Sequence, residues 1–260
     1  MAKSPHSATE SRPFEEALES LPVQDAWARA LLDRLNRVVE LPRDARILDV
    51  GAAAGGFVLA CRRLGYRCEG VEPWEHARLN AARLSRHVGI PLSVVDGMAE
   101  SLPFEAATFD VVTAASVIEH VQHVEKAFAE ACRVLKPGGV FWFSAASSLS
   151  PRQGEIEGFP FFGWYPDRLK LWIMNWVKDA RPHLVGHTRS PAINWFTPRK
   201  ARTLLRKHGF TGKIHDRWDL RGEREGGKRY QLALRVIRSN AVSKTLADVL
   251  VPGCSYAAVK

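Results

Sequence analysis

The segment 46-RILDVGAAAGG-56 joins a short apolar run to a glycine-rich turn. The apolar run at 47–50 predicts a buried strand, and the stretch after Gly55 predicts a helix that begins directly behind the turn. Gly51 and Gly55 permit tight backbone geometry, and a helix start offers unpaired N–H groups to a ligand. Alone, GAAAGG also fits a degenerate dinucleotide fingerprint, or a turn that binds nothing.

Short apolar strands alternate with helical segments around this turn. Further strands are predicted at 67–71, 92–95, 109–115, 140–144, 213–220 and 254–260. Helices are predicted at 23–39, after Gly55, at 74–87, 124–135, 169–177 and 198–210, with a last helix before the terminal strand. Such alternation specifies a parallel sheet covered on both faces. We therefore predict an α/β fold, Rossmann-like and doubly wound, with a mostly parallel seven-stranded sheet that binds a nucleotide cofactor.

The chain divides into an arm, one domain and an insertion. Residues 1–22 are polar and rich in turn formers, which predicts a mobile N-terminal arm. Residues 23–260 follow the α/β pattern as one domain. The pattern is interrupted at 150–197, where 158-GFPFFGWYP-166 is strongly aromatic. We expect an aromatic lid here, after the fifth strand.

The charge is unevenly distributed. Residues 1–140 contain 16 Lys and Arg against 19 Asp and Glu, whereas residues 141–260 contain 21 against 9. The basic half favours an acidic substrate, nucleic acid or an anionic membrane surface, and it also fits a merely solvated face. The sequence shows no signal-peptide pattern and no apolar run of about 18 residues, so we expect a cytoplasmic protein. The four cysteines lack metal-ligand spacing, and we expect reduced thiols and no metal site.

Three acidic residues follow three successive predicted strands. Asp49 lies at the mouth of the sheet, where its charge suits an ammonium or sulfonium and repels a pyrophosphate. Glu72 ends the second strand, where a carboxylate can accept both hydroxyls of an adenosine ribose. Asp96 ends the third strand, where a carboxylate can accept the adenine amino group. Each acid alone also fits the role of a solvated loop residue.

These residues resemble the class I S-adenosylmethionine-dependent methyltransferases, in particular the small-molecule branch that includes ubiquinone-biosynthesis enzymes. The resemblance is carried by 46-RILDVGAAAGG-56, 70-GVEP-73, 95-VDGMAESLPF-104, 109-FDVVTAASVIEHV-121 and 135-LKPGGVFWFS-144. It is strong over 45–145 and covers 190–260 only in outline. The resemblance implies that residues 23–260 form a methyltransferase domain that acts in small-molecule biosynthesis. It implies S-adenosyl-L-methionine as cofactor and S-adenosyl-L-homocysteine as product.

The resemblance also implies a set of cofactor-binding residues. They are Asp49, Gly51, Ala53, Gly55, Glu72, Pro73, Asp96, Gly97, Met98 and Ser116. Asp49, Gly51 and Gly55 would hold the methionine part, Glu72 the ribose, and Asp96 with Met98 the adenine. The family usually has glycine where this chain has Ala53, and the added methyl narrows the space beside the cofactor.

The end of the fourth strand is expected to line the methyl-transfer site. His120 is the candidate general base, because an imidazole titrates near neutral pH, although it also fits a packing role. His123 is expected to be solvated. Asp110 starts the same strand and lies about 10 Å or more from the cofactor edge, so we expect it to be structural.

The substrate is expected to lie beneath the aromatic lid. Trp164, Tyr165, His187 and Trp195 are its predicted contacts. Aromatic and basic side chains together suit a small apolar, aromatic or acidic acceptor, and O-methylation is the preferred reaction. The predicted helix at 166–178 packs as a lid or lies on a membrane surface. No obligate protein partner is evident.

Three other functions fit parts of the sequence. A nucleic-acid methyltransferase fits the basic half, but 114-AASV-117 lacks an NPPY-like segment and no cysteine stands at the sheet mouth, so nucleic acid is disfavoured. A nicotinamide-dependent oxidoreductase fits the glycine turn but explains Asp49 and Asp96 poorly. A non-catalytic regulatory partner that binds S-adenosylmethionine is the third alternative, because this branch has no obligatory catalytic residue whose absence would show; an S-adenosylmethionine-dependent methyltransferase is the preferred prediction.

Overall fold

The computed structural model describes residues 14–151, 153, 156, 158–181, 184, 192–222 and 226–260. The strands are β1 (Arg46–Val50), β2 (Arg67–Val71), β3 (Ser93–Val95), β4 (Phe109–Ala115), β5 (Leu135–Ala145), β6 (Ile214–Asp216) and β7 (Cys254–Val259). The helices are α1 (Leu21–Asn36), α2 (Gly56–Arg63), α3 (Glu75–Val88), α4 (Val124–Val134), α5 (Asp167–Ala180), α6 (Pro198–Lys207), α7 (Lys228–Arg238) and α8 (Ala241–Leu250).

The seven strands form one sheet in the order β3-β2-β1-β4-β5-β7-β6. Strands β1 to β5 pair in parallel, and β7 runs antiparallel to both β5 and β6. The order reverses between β1 and β4, which opens a crevice at the carboxyl ends of these two strands. The predicted doubly wound, mostly parallel, seven-stranded α/β fold is confirmed.

Both faces of the sheet are buried. Along β5, Phe141 and Phe143 enter one apolar cluster, while Val140 and Trp142 enter the other. Successive side chains of a strand point to opposite faces, so a strand buried on both faces reads as a continuous apolar run. The two-sided core explains why the predicted strands lacked polar alternation, and it holds the carboxyl edge of the sheet rigid.

The segment between β5 and α6 has an apolar cluster of its own. A 3₁₀ turn (Phe162–Trp164) and α5 contribute most of its side chains. Ile173, Met174 and Val177 on α5 are buried in this cluster. One face of α5 therefore packs against the apolar cluster of this segment.

Three predicted elements differ from the structure. Within the predicted arm, residues 14–19 are helical and α1 begins at Leu21, because Pro22 suits the first turn of a helix; residues 1–13 lie outside the described residues. Strand β6 ends at Asp216, whose Oδ1 accepts hydrogen bonds from the Trp218 and Asp219 amides and so forms a turn. The single last helix is two helices, because Asn240 caps a new one through the Ser243 amide.

Phe128 on α4 provides a test of the core. Its fully buried ring lies 5.2 Å from the Phe143 centroid and 5.6 Å from the Phe141 centroid. We expect Phe128→Ala to lower the free energy of unfolding by about 3–5 kcal/mol, because it leaves a cavity that the aromatic neighbours cannot fill. Chemical denaturation measures this change. The matched control is Leu79→Ala, at an exposed side chain of α3, whose free energy of unfolding should stay within about 0.5 kcal/mol of the parent value. Equal losses would contradict the packing described.

Candidate functional site

The glycine turn after β1 is held against the end of β4. Gly51 has a φ of +76°, and a Cβ added there would lie 2.3 Å from Val117 Cγ2, so only glycine fits. Gly55 has a φ of +78° and precedes the first residue of α2. No described side chain caps α2, so the amides of its first turn stay available to a ligand. The turn has the geometry of an anion- or cofactor-binding loop.

Ala53 adopts a left-handed conformation, with a φ of +47°. Its N–H donates to Glu72 Oε2 at 2.9 Å, which explains why the backbone keeps this conformation without glycine. Ala53 is exposed at this turn. The alanine at this position therefore introduces backbone strain, and the narrowing of space beside a cofactor stays a prediction.

Glu72 links the glycine turn to the end of β2. Besides Ala53, the Trp74 amide donates to it, at 3.0 Å from Oε1. The side chain is buried, with 5% of its surface exposed. A carboxylate has about four acceptor positions, so two backbone donors leave capacity for two hydroxyls.

Asp49 is a buried acid at the end of β1. Thr113 Oγ1 of the neighbouring β4 donates to Asp49 Oδ1 at 2.9 Å. Burial raises the pKa of Asp49 from 3.8 to about 7; the Thr113 hydrogen bond lowers it, and the nearby charge of Glu72 raises it further. A cation at this position would favour the ionised carboxylate, whereas a phosphate would not.

Asp96 follows β3 and is exposed, unlike the other two acids. Arg78 Nη1 lies 2.7 Å from Asp96 Oδ1, and it also donates to the carbonyl oxygens of Glu72 and Pro73 at 2.8 Å. One guanidinium thus ties together the ends of β2 and β3. Gly97 is half-buried and Met98 exposed beside Asp96.

The loop after β4 carries the remaining predicted groups. Ser116 has a φ of +53°, and its N–H donates to Ser144 O and Oγ, each at 3.1 Å. His120 is half-buried, with Nδ1 inside the protein, and His123 is exposed as predicted. Glu119, directly before His120, is buried, and its carbonyl oxygen accepts hydrogen bonds from the amides of 193–194. The segment between β5 and α6 is therefore anchored to the loop that carries His120.

The predicted substrate contacts differ in exposure, although Tyr165 and Trp195 both pack against Phe162. Trp164 is exposed and donates from Nε1 to the Leu149 carbonyl oxygen, and Tyr165 is half-buried against Phe162. Trp195 is buried in the lid cluster, with Lys170 Nζ 4.5 Å from its ring centroid. His187 lies outside the described residues. Substrate contact by these four residues stays a prediction.

The predicted acids meet at one edge, and some of their partners were missed. Because β3, β2 and β1 are neighbours, Asp49, Glu72 and Asp96 end adjacent strands. Thr113 was detectable as a polar residue within an apolar strand, whereas Arg78 had no sequence signal that distinguished it from other helix cations. Asp110 lies at the opposite edge of the sheet, where it accepts hydrogen bonds from Lys136 Nζ and the Arg46 amide. These contacts fit the structural role expected for it.

At the class level, the fold and this edge define a Rossmann-like, doubly wound α/β architecture with a ligand-binding edge. The glycine turn and two buried acids lie where the strand order reverses, which is the ligand position of open α/β sheets.

Comparison with known proteins shows what this part of the chain is similar to. Residues 48–143 match the model of the methyltransferase domain family. Ubiquinone biosynthesis O-methyltransferase of Methylocella silvestris is 34% identical over 163 residues, 58% of this chain and 63% of that protein. Sarcosine/dimethylglycine N-methyltransferase of Aphanothece halophytica is 29% identical over 126 residues, 47% and 46% of the two chains. This chain thus spans less than two thirds of either relative.

A solved structure supports the fold assignment. Geranyl diphosphate C-methyltransferase from Streptomyces coelicolor, in complex with Mg²⁺, geranyl diphosphate and S-adenosyl-L-homocysteine, superposes with a TM-score of 0.55. The match covers 90% of this chain and 78% of the other, at 20% identity. At that identity, the likeness concerns the fold.

The strain at Ala53 is testable by comparison with its neighbour. A left-handed alanine costs about 1–2 kcal/mol, and Ala53→Gly removes this strain. Ala54 is outside the left-handed region, so Ala54→Gly only increases the conformational entropy of the unfolded chain. We expect Ala53→Gly to be more stable than Ala54→Gly by about 1–2 kcal/mol in thermal or chemical unfolding. Equal stability of the two variants would show that the Glu72 hydrogen bond does not hold a strained residue.

The buried carboxyl of Asp49 predicts a pH-dependent stability. Its stabilising contribution is complete below pH 3.8 and is lost as the pH rises through about 7, because the unfolded chain ionises first. Asn cannot titrate, so the free energy of unfolding of Asp49→Asn minus that of the parent should rise over this range, by up to about 4 kcal/mol. Thermal melts from pH 4 to 8 measure it; a difference independent of pH would contradict the buried acid.

Proposed function

We propose that this chain is an S-adenosyl-L-methionine-dependent methyltransferase that methylates a small apolar, aromatic or acidic metabolite, with oxygen as the acceptor atom. The observation that carries the proposal is Asp49, a buried carboxyl between the glycine turn and Thr113. A buried acid at the ligand edge favours a cationic cofactor, because a cation offsets the cost of the buried negative charge. The methyltransferase domain at 48–143 supports the same cofactor.

The residues at the sheet edge fit the parts of that cofactor. Asp49, Gly51, Ala53 and Gly55 would bind its amino-acid part, since the turn offers backbone amides and a carboxylate. Glu72 would accept the ribose hydroxyls with the lone pairs that its two backbone donors leave free. Pro73, Asp96, Gly97, Met98 and Ser116 would complete the pocket, with Met98 and Asp96 at the adenine.

Methyl transfer places three demands on the chain. The cofactor supplies an electrophilic methyl group on a sulfonium. The protein must align the acceptor in line with that group, exclude water and accept a proton from a hydroxyl. The lid is suited to the first two tasks, because its 193–194 amides are anchored at Glu119, beside His120.

His120 is the proposed general base. It follows β4 and its Nδ1 is buried, so we assign Nε2 as the nitrogen that receives the proton of an acceptor hydroxyl. In this step the acceptor oxygen forms a bond to the methyl carbon, the carbon–sulfur bond breaks, and the proton moves to His120. Two observations favour oxygen: a relative of 34% identity is named as an O-methyltransferase, and a histidine stands at the proposed transfer site.

Calorimetry tests the cofactor. S-adenosyl-L-homocysteine should bind the full chain and NAD should not, because Asp49 tolerates an ammonium and repels a pyrophosphate. Titration with S-adenosyl-L-methionine below pH 7 should also release a proton from Asp49, so that the measured heat differs between buffers of different ionisation enthalpy. Tight NAD binding, with no response to S-adenosyl-L-homocysteine, would support a nicotinamide enzyme and overturn the proposal.

If His120 is the general base, its replacement should lower turnover without changing cofactor affinity. An acceptor screen with phenols and hydroxylated lipids identifies a working substrate, and His120→Ala should then lower turnover by about 10²–10⁴-fold while the dissociation constant of S-adenosyl-L-homocysteine stays within about twofold. His123→Ala, an exposed histidine three residues further, is the matched control and should leave both values near the parent. Unchanged turnover in His120→Ala would remove it as the base.

A further inference from the structure

Helices α7 and α8 form a hairpin between β6 and β7, and their inner faces pack around Trp218. Leu234 and Ala247 are buried against this ring, and Tyr230 and Ile237 pack beside them. Trp218 Nε1 also donates to Asp248 on α8 at 2.8 Å. Because both helices turn their inner faces to Trp218, their opposite faces point away from the domain.

The outer faces of the hairpin are apolar and exposed. Leu232 and Val236 on α7 have 64% and 58% of their surface exposed, and Leu250 on α8 has 78% exposed. Val242 and Leu246 precede Leu250 at four-residue spacing, so each helix presents a continuous stripe. Clustered apolar exposure of this kind marks an interaction surface rather than ordinary solvent-facing residues.

Basic side chains flank the apolar stripe. Helix α7 contains four Lys and Arg and no Asp or Glu. At 100° per residue, Lys228 and Arg235 lie on one side of the stripe and Arg229 on the other. In the part of the chain that the structure describes, no hydrogen bond or ion pair engages these three side chains; Glu223 and Glu225, before α7, lie outside that part. An apolar face bordered by cations is typical of helices that lie in an anionic membrane surface.

The positive charge extends beyond α7 to the sheet edge. A cavity of about 570 Å³ lies between α6, β6 and α7. Its basic lining residues are Arg202, Arg206, Lys213, His215 and Arg238. Asp219 also lines it, but Lys244 Nζ lies 2.6 Å from its carboxylate and neutralises it. The hairpin therefore stands next to a positively charged region, in which Arg206 and Arg238 also bind backbone carbonyl oxygens.

We propose that the α7–α8 hairpin binds the surface of an anionic lipid bilayer. The exposed aliphatic side chains of the two helices enter the boundary between headgroups and acyl chains, and Lys228, Arg229 and Arg235 contact lipid phosphates. A second copy of the chain suits this face less well, because a two-fold axis would bring the same unpaired cations close to each other. The proposal does not depend on the methyl acceptor or on catalysis.

Vesicle co-sedimentation of the full chain tests the proposal. We expect binding to phosphatidylcholine vesicles that contain phosphatidylglycerol, weaker binding at high salt, and little binding to pure phosphatidylcholine. The double variant Leu232→Glu/Leu246→Glu should lower the partition coefficient at least about tenfold, because it places charge in the inserted stripe. The triple variant Lys228→Gln/Arg229→Gln/Arg235→Gln should lower it comparably and abolish most of the salt dependence.

Matched variants distinguish the hairpin from the other exposed apolar residues of the surface. Val23→Glu, at an exposed apolar residue of α1, should bind as the parent does. Trp172→Ala/Trp176→Ala removes the exposed stacked pair on α5, the other apolar face, and should also leave binding unchanged. Absence of binding to anionic vesicles, or its loss only in the tryptophan variant, would overturn the proposal.

Sedimentation velocity tests the alternative occupant of this face. A dimer that Leu232→Glu/Leu246→Glu dissociates would assign the face to a second copy and overturn the membrane proposal.

Discussion

A carboxyl group is buried where the strand order of the sheet reverses, and the rest of the site is arranged around it. Among the residues that the structure describes, Thr113 is the side-chain donor to Asp49, and the charge of Glu72 lies nearby. Burial, and to a smaller extent the charge of Glu72, destabilises the ionised state of Asp49. The arrangement is costly without a ligand and favourable with a cation, so the electrostatics select the chemistry of the ligand before any direct contact does.

The backbone around Asp49 is fixed by close packing and by carboxylate hydrogen bonds. Val117 Cγ2 occupies the space that a side chain at Gly51 would need, so the turn after β1 packs directly against the loop after β4. Glu72 joins the same turn to β2 through Ala53. Packing and hydrogen bonds therefore join the ends of three strands, which would suit the proposed alignment of a methyl group with its acceptor.

Local pattern predicted the parts of the molecule that local physics determines. The apolar run at 109–115 placed β4 correctly, and the acids at strand ends were placed together because parallel strands end at a common edge. Side-chain partners between elements were not predictable in this way: many helix arginines look like Arg78, and only the fold brings it to Asp96. The second helix of the hairpin was missed because its start depends on Asn240, a single cap inside an otherwise helical pattern.

The basic half of the chain shows why net charge is a weak guide to ligands. Several of its cations bind carbonyl oxygens where elements end: Arg206 those of Phe210 and Gly212, Arg217 those of 251–252, and Lys260 those of 132 and 135. A cation so used satisfies buried backbone acceptors but still contributes its full charge to the long-range field. The charge asymmetry of the sequence is thus partly a consequence of how the second half is built. The information about partners lies in cations without a structural task, and in α7 these border an apolar face instead of the cofactor edge.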